Sequence, residues 1–183
     1  MFLSIHQNYS LTFANVPQCL IIGKDAKDVS REEALDYVGA YTAGNDISSR
    51  KLQRDVAFAG RIPQWGFSKG FDTFAPLGPC LVSPDLVGDP AGLQLKTVVN
   101  GEGRQEESVG DLLFDCAYLI SYLSSGTTLR KGSVIMTGTP GGELLPLLIL
   151  EDNVANLLTL CRCRCRFEPA AILGPGYYDG GFY

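Results

Sequence analysis

The sequence predicts one α+β domain built from short strands and a few helices. Three observations support this. Residues 19–23, CLIIG, form an apolar run closed by glycine, which is typical of a buried strand. Residues 94–108 alternate around Asn100–Gly101, a pair preferred in type I′ hairpin turns. Residues 108–124 carry apolar side chains at helical spacing. A chain of 183 residues is long enough for one domain with a substantial core.

The remaining elements follow in chain order. Ser30 and Glu33 have the spacing of a capping box, so a helix is expected after Ser30, with an apolar face from Ala34, Leu35 and Val38. A strand then leads to Gly44. Residues 50–79 are rich in glycine, proline and aromatic residues, which predicts a long functional loop. The helix over 108–124 is expected to begin at Ser108 with Asp111, and to bury these apolar positions: Leu112, Leu113, Cys116, Ala117, Leu119, Ile120 and Leu123.

Composition excludes several classes of protein. The chain is 45% hydrophobic and 19% charged, which is ordinary for a globular protein. Its net charge of −5 and lack of a basic stripe argue against nucleic acid as a partner. The N-terminus has no signal-peptide pattern, and Pro146 and Glu151–Asp152 interrupt the most apolar stretch, so no membrane association is expected.

The cysteines indicate a reducing compartment. Cys19, Cys80 and Cys116 lie in apolar contexts and are predicted to be buried free thiols. The run CRCRCR at 161–166 has neither the spacing nor the fourth ligand of a zinc site and is interpreted as incidental. We therefore expect a cytoplasmic protein, with mitochondria as the alternative.

Two charged residues are candidates for chemistry. Asp46 follows Gly44–Asn45, where it is either a turn residue or a ligand for a hard cation such as Mg²⁺ or Ca²⁺. Lys69 lies among Phe67, Phe71 and Phe74, where it either extends to solvent or holds an anion. Both alternatives stay open for each residue.

Two further features are less specific. Thr137 and Thr139 lie where a predicted strand meets a glycine-rich turn, which suits either turn formation or the binding of a carboxylate. His6 is the single histidine, and it does not support a catalytic triad.

Four stretches, in this order, resemble the fumarylacetoacetate hydrolase family: LIIGKDAKDVSREEALDYVGAYTAGNDISSRKLQ, QWGFSKGFDTFAPLGPCLVSPD, LKTVVNGEGRQ and GSVIMTGTP. The resemblance implies a mixed-β roll, usually dimeric. It also implies hydrolysis, decarboxylation or isomerisation of a small oxo-acid or β-diketo acid through a metal-stabilised enolate, in catabolism or secondary metabolism. It divides the chain into a divergent segment 1–18, a core 19–142 and an unrelated tail 143–183, so the roll is expected to be truncated at both ends.

The resemblance also assigns roles by position. Asp46 matches a ligand of Mg²⁺ or Ca²⁺, with Mn²⁺ as a further possibility. Lys69 matches a catalytic lysine. Gln53, Thr73 and Thr139 match substrate-binding residues.

One departure bears directly on the metal. Family members carry a Glu-x-Glu pair of metal ligands upstream of the first core strand, and these positions fall on Asn15 and Pro17 here. The family's water-activating His/Glu pair also has no match. We therefore expect impaired metal-dependent catalysis, with Glu143 as a possible substitute ligand. Two functions are carried forward: a hydrolase-like enzyme working as a homodimer or paired with a homologue, and a catalytically impaired homologue or non-catalytic partner subunit.

Overall fold

The computed structural model describes residues 12–15, 17–99, 102–141, 146–147 and 157–162, of which 12–15, 99, 102, 146–147 and 157–162 are described by their backbone alone. Its strands are β1 Thr12–Asn15, β2 Gln18–Ile22, β3 Val38–Gly44, β4 Asp46–Ser49, β5 Leu77–Val82, β6 Gln94–Val99, β7 Glu102–Ser108, β8 Val134–Met136, β9 Pro146–Leu147 and β10 Leu157–Arg162. Its helices are α1 Arg50–Arg54, α2 Val56–Ala59, α3 Pro84–Val87 and α4 Cys116–Ser124, with 3₁₀ turns at Ala34–Tyr37, Pro90–Gly92 and Val109–Asp111.

The strands form three sheets. The largest has the order β5-β3-β2-β8, and the other two have the orders β4-β1-β9 and β10-β6-β7. Each pair in these sheets is antiparallel. Because β3 and β4 are separated by one residue but lie in different sheets, the chain passes from one sheet to another at Asn45.

The main core lies between the four-stranded sheet and α4. Strand β2 is central in this sheet, and Cys19 and Leu20 are completely buried, as the apolar run 19–23 predicts. Cys116 and Ile120 of α4 belong to the same core cluster as Leu20. Burial of one such leucine or isoleucine stabilises a fold by about 1.5–3 kcal/mol.

Two glycines lie where the backbones of β3 and of the residue after β2 approach most closely. The Cα atoms of Gly23 and Gly39 approach each other so closely that a Cβ on Gly39 would lie 2.7 Å from the Cα of Gly23. The close approach follows a register shift between Ile21 and Ile22 in the β2–β3 pair. No larger side chain fits at either position without moving backbone.

The predicted hairpin at 94–108 is confirmed on both sides of its turn. Strands β6 and β7 pair in antiparallel register up to Val99 opposite Glu102, whereas Asn100–Gly101 lies outside the described residues. A register shift after Thr97 keeps Thr97 opposite Gln105. This cross-strand pair becomes important at the candidate site.

The predicted helix over 108–124 is wrong in its first half. A 3₁₀ turn covers Val109–Asp111, and α4 begins only after Asp115, whose carboxylate accepts a hydrogen bond from the backbone N–H of Tyr118 at 2.7 Å. Leu113 lies between the two elements and is 87% exposed, and Leu123 on α4 is 40% exposed, so neither is buried as predicted. Asp115 is a better N-cap than Ser108 for this helix because its carboxylate satisfies a free backbone N–H and carries the favourable charge.

The helix expected after Ser30 is also shorter than predicted. The hydroxyl of Ser30 accepts from the backbone N–H of Glu33 at 3.3 Å, as in a capping box, but only the 3₁₀ turn Ala34–Tyr37 follows. Val38 begins β3 and is not part of a helical face. Pairing of β3 with the buried strand β2 therefore outweighs the local helix signal.

Three other expectations have mixed outcomes. The stretch 50–79 contains the short helices α1 and α2 as well as loop. Cys19 and Cys116 are buried free thiols as predicted, but Cys80 is an exposed free thiol on β5, an edge strand with no fully buried residue. None of the helices in the described part of the chain is long and apolar enough to cross a membrane.

Part of the predicted tail is paired with the core. Strand β10 runs antiparallel to β6, with Cys161 opposite Leu95. Cys163, Cys165, His6 and Glu143 lie outside the described residues.

Candidate active site

Asp46 lies at the start of a strand, because Gly44 ends β3 and Asp46 begins β4. Its neighbour Gly44 packs against β2 so tightly that a Cβ there would overlap the sulfur of Cys19. A larger residue at position 44 would therefore require the side chain of Cys19 to move. Asp46 is the first residue of β4, although the N–H of Ile47 donates to the carbonyl of Asn45 at 3.0 Å in a tight turn around it.

The loop that follows α2 is fastened to this crossing point. The backbone N–H of Ser49 donates to the carbonyl of Ser68 at 2.9 Å, and the N–H of Gln64 donates to the carbonyl of Gln53 at 3.0 Å. The rings of Phe67, Phe71 and Phe74 contact one another in sequence, with centroid distances of 5.5 and 5.3 Å. These contacts order the loop that carries Lys69.

Lys69 and Asp46 form an ion pair. The ammonium of Lys69 donates to Oδ2 of Asp46 and, at 2.8 Å, to the hydroxyl of Ser48. Both charged side chains are largely buried, with 27% and 29% of their surfaces exposed. Lys69 thus holds an anion, and the anion is a carboxylate of its own chain.

Gln53 is completely buried on α1. Its Oε1 accepts from the guanidinium of Arg50. Because arginine can only donate, this contact fixes the orientation of the amide and leaves Nε2 as a buried donor with no partner among the described residues. Burial lowers the pKa of Arg50, while the nearby charge of Asp46 opposes that change.

Three other buried polar atoms, two of them near Asp46 in the sequence, are unpaired in the same way. They are Oδ1 of Asn45, Oγ of Ser49 and Oγ1 of Thr73, for which the described residues supply no hydrogen-bond partner. Thr73 also has φ of +69°, a left-handed conformation that is strained for a β-branched residue. Unpaired buried polar atoms and local strain are typical of sites that receive a polar ligand.

The two threonines after β8 have different surroundings. The hydroxyl of Thr137 donates to the carbonyl of Gln18 at 3.1 Å and so closes the end of the sheet. Oγ1 of Thr139 accepts from Nε2 of Gln105 at 2.6 Å. Strand register places Gln18 beside Ala43 and Cys19 beside Met136, so the segments carrying Asp46 and Thr139 leave the same end of the four-stranded sheet.

The described residues do not fit a divalent cation at Asp46. Mg²⁺ prefers six oxygen ligands and Ca²⁺ six to eight, usually with several carboxylates. Position 15 lies directly opposite Asp46 in the register of the β1–β4 pair. Asparagine occupies that position, and Pro17 has no ligating side chain.

The charge on Asp46 is also already neutralised by Lys69. No group of three or more His, Cys, Asp or Glu side chains suited to a metal occurs in the segments that the structure describes.

Sequence reasoning named Asp46, Lys69, Gln53, Thr73 and Thr139, and the structure brings Asp46 and Lys69 into contact. It missed the side chains that hold these residues, namely Ser48, Arg50 and Gln105. Arg50 precedes Gln53 by three positions on a helix, a spacing that predicts contact. Ser48 and Gln105 act across 21 and 34 residues of sequence, and no local pattern indicates such contacts.

Comparison with known proteins identifies the class. The model of the fumarylacetoacetate (FAA) hydrolase C-terminal region matches residues 19–174. Fumarylpyruvate hydrolase from Pseudomonas aeruginosa, solved with Mn²⁺ and pyruvate, is 30% identical with a TM-score of 0.73, over 86% of this chain and 64% of that one. 5-carboxymethyl-2-hydroxymuconate delta-isomerase from Mycobacterium smegmatis is 38% identical with a TM-score of 0.67, over 76% of this chain and 52% of that one.

A third relative is the fumarylacetoacetate hydrolase domain-containing protein 2 homolog of Dictyostelium discoideum, which is 41% identical over 131 residues. The match covers 67% of this chain and 42% of that relative's length, so the chain spans less than half of it. The chain belongs to the fumarylacetoacetate hydrolase family and has the α+β fold of its C-terminal domain. The family resemblance and the fold class predicted from the sequence are thereby confirmed.

Proposed function

We propose that this chain carries a hydrolase-like site for a small oxo-acid or β-diketo acid, with Lys69 as its catalytic residue. The observation that carries the proposal is the ion pair between Lys69 and Asp46, together with buried polar atoms that have no partner in the described part of the chain. An ammonium held in a partly buried position stabilises negative charge that develops on an enolate oxygen. Hydrolases and isomerases among the structural relatives support this class of chemistry.

Gln53, Thr73 and Thr139 would bind the substrate. The unpaired Nε2 of Gln53 and the unpaired hydroxyl of Thr73 are buried hydrogen-bonding groups that an oxo-acid oxygen would satisfy. Thr139 leaves the same end of the sheet and would contact a substrate carboxylate. A carboxylate bound by these groups gains charge-assisted hydrogen bonds, which are about twice as strong as neutral ones.

The Pseudomonas relative was solved with Mn²⁺. In this chain Asp46 would be a ligand, but the residues at positions 15 and 17 supply no further charge, and Lys69 competes for the same carboxylate. We therefore propose weak binding of Mg²⁺, Ca²⁺ or Mn²⁺ and low metal-dependent turnover.

The same ligand positions favour a second candidate, a non-catalytic partner subunit. An exposed apolar face extends from α2 through the loop before Lys69 and includes Val56, Phe58, Ile62, Trp65 and Phe67, each more than half exposed. Exposed apolar surface of this kind often marks a protein interface. A second copy of the chain, giving a homodimer, would cover it. Light scattering on the purified chain tests this, and Phe67→Ser should shift a dimer toward monomer.

A turnover assay separates the two functions. Wild type and Lys69→Met are assayed against oxaloacetate and a small set of acylpyruvates, with and without Mn²⁺, Mg²⁺ or Ca²⁺. Turnover that is lost in Lys69→Met supports the enzyme. Binding of the oxo-acid without any turnover, in the presence of each metal, supports the non-catalytic subunit. A cytoplasmic location stays a prediction from the sequence.

A further inference from the structure

We propose that Gln105 is a positioning residue that sets the hydroxyl of Thr139 as a hydrogen-bond donor toward a bound carboxylate. The inference rests on the proposed function, because it concerns the same oxo-acid site. It adds a residue on the β6–β7 hairpin, outside the segments that carry Asp46, Lys69 and Gln53.

The orientation of the Gln105 amide is determined by its partners. Nε2 donates to the carbonyl of Pro140 at 2.8 Å and lies 3.4 Å from the carbonyl of Gly141. Backbone carbonyls only accept, so Nε2 must face them. Oε1 then faces Thr97, whose hydroxyl donates to it at 2.9 Å. Thr97 is 7% exposed, so this bond is protected from water.

The orientation of the amide in turn determines whether the hydroxyl of Thr139 donates or accepts a hydrogen bond. Nε2 of Gln105 donates to Oγ1 of Thr139 at 2.6 Å. A threonine hydroxyl has one proton and two lone pairs, so accepting this bond leaves its proton available for a second partner. A carboxylate has only acceptors, and it can bind Thr139 only if that proton points to it. Gln105 thus orients Thr139 as a donor and holds the backbone of the loop that carries it.

The position of Gln105 in the sheet makes the arrangement rigid. Thr97 and Gln105 are directly opposite each other on β6 and β7, so their contact follows from strand register. Gln105 is then connected to three successive residues of the loop, Thr139, Pro140 and Gly141. A loop held to a strand in this way keeps its binding geometry without a ligand, which reduces the entropy lost on binding.

The test uses Gln105→Glu. A glutamate has nearly the same shape but only accepts, so the hydroxyl of Thr139 donates to it, and two carbonyls face it without receiving a hydrogen bond. The matched control is Gln94→Glu, the same change at an exposed position of β6. Thr139→Val removes the hydroxyl, and Thr139→Ser retains it. Binding of pyruvate is measured by calorimetry for each variant, together with kcat and KM for oxaloacetate where turnover occurs.

We expect pyruvate affinity to fall at least about tenfold in Gln105→Glu and in Thr139→Val, since each loses a hydrogen bond to a charged group. The double variant should lose no more than either single one, because both act on one bond. Thr139→Ser and Gln94→Glu should bind like wild type, and the effect should appear in KM more than in kcat. Unchanged affinity in Gln105→Glu, or additive losses in the double variant, would overturn the proposal.

A second measurement is independent of the substrate. The side-chain amide protons of Gln105 are followed by ¹⁵N-edited NMR in wild type, Thr97→Val and Thr139→Val. Both substitutions should shift these resonances. Unshifted resonances would contradict the relay, by which we mean the hydrogen-bonded chain from Thr97 through Gln105 to Thr139. If wild type binds no pyruvate while the resonances shift as expected, the proposed substrate class is wrong and the relay between Thr97, Gln105 and Thr139 is supported.

Discussion

Removal of the Lys69 ammonium should destabilise the fold through Asp46. The perturbation is a double-mutant cycle made of Lys69→Met, Asp46→Asn and the two together. Lys69→Met leaves the Asp46 carboxylate without its charged partner in a site where 29% of that side chain is exposed. Asp46→Asn keeps an acceptor of similar size but removes the charge.

The expected magnitude lies between those of surface and buried pairs. Two unit charges 4 Å apart attract by about 4 kcal/mol at an effective dielectric constant near 20, and desolvation cancels a large part of this. Exposed pairs contribute about 0–1 kcal/mol, and loss of one partner from a fully buried pair costs about 3–5 kcal/mol. The 27% and 29% exposure of this pair indicates a coupling energy of about 1–2 kcal/mol. In a protein of this size that coupling corresponds to a shift of about 2–8 °C in Tm.

The assay is urea unfolding followed by circular dichroism and by the fluorescence of Trp65, the single tryptophan. Trp65 is a local probe, because its ring centroid lies 6.0 Å from the Lys69 ammonium. The matched control is the pair Arg130–Asp25, whose side chains are 76% and 50% exposed and which should show no measurable coupling. If the effects of Lys69→Met and Asp46→Asn simply add, the ion pair does not exist in solution and the reasoning fails.

Three further predictions concern the scaffold. Asp115→Ala should cost about 0.5–2 kcal/mol because α4 loses its N-cap. The backbone N–H of Tyr118, and then Arg31, lower the pKa of Asp115, so this stability is present above the unfolded pKa and is lost as pH falls through the folded pKa. Urea unfolding at two pH values should therefore show that the difference between wild type and variant vanishes in acid. Burial, and then the charge of Asp115, raise the pKa of Cys116 to about 12. In a chain whose tail cysteines have been replaced by serine, a thiol reagent at neutral pH should therefore label the exposed Cys80 and leave Cys116 unlabelled until the chain unfolds. Fast labelling of Cys116 in the folded chain would contradict its burial. Gly39→Ala should destabilise the fold by about 1–3 kcal/mol, because its Cβ would meet the backbone of Gly23. The control is Gly103→Ala, because the space around Gly103 is open. A similar loss of stability in Gly103→Ala would refute the steric explanation.

Much of the fold is readable from local patterns, because burial and turn chemistry act over a few residues. The apolar run at 19–23 predicts the central strand, and the alternation around residues 100–101 predicts the hairpin. The start of α4 is missed for a physical reason. Leu112 and Leu113 continue the apolar spacing of the helix, but Asp115 offers a stronger cap, and the spacing alone does not tell an exposed Leu113 from a buried one.

The candidate site can be predicted only in part from the sequence. Asp46 and Lys69 are recognisable by residue type and family motif, and they are 23 residues apart in sequence. Their contact depends on the crossing between sheets at Asn45 and on the loop fastened at Ser68, which are tertiary features. The role of Gln105 cannot be predicted from a local pattern for the same reason, since its contacts with Thr139 and Pro140 span 34 and 35 residues.

Calorimetric titration of the wild-type chain with Mn²⁺ tests the central claim most directly, namely that Lys69 and not a dication balances the charge of Asp46. Weak binding, with no sub-millimolar affinity, is the predicted result, and Lys69→Met should bind Mn²⁺ more tightly than wild type because the carboxylate is released. Sub-millimolar affinity in wild type that disappears in Asp46→Ala would contradict the account.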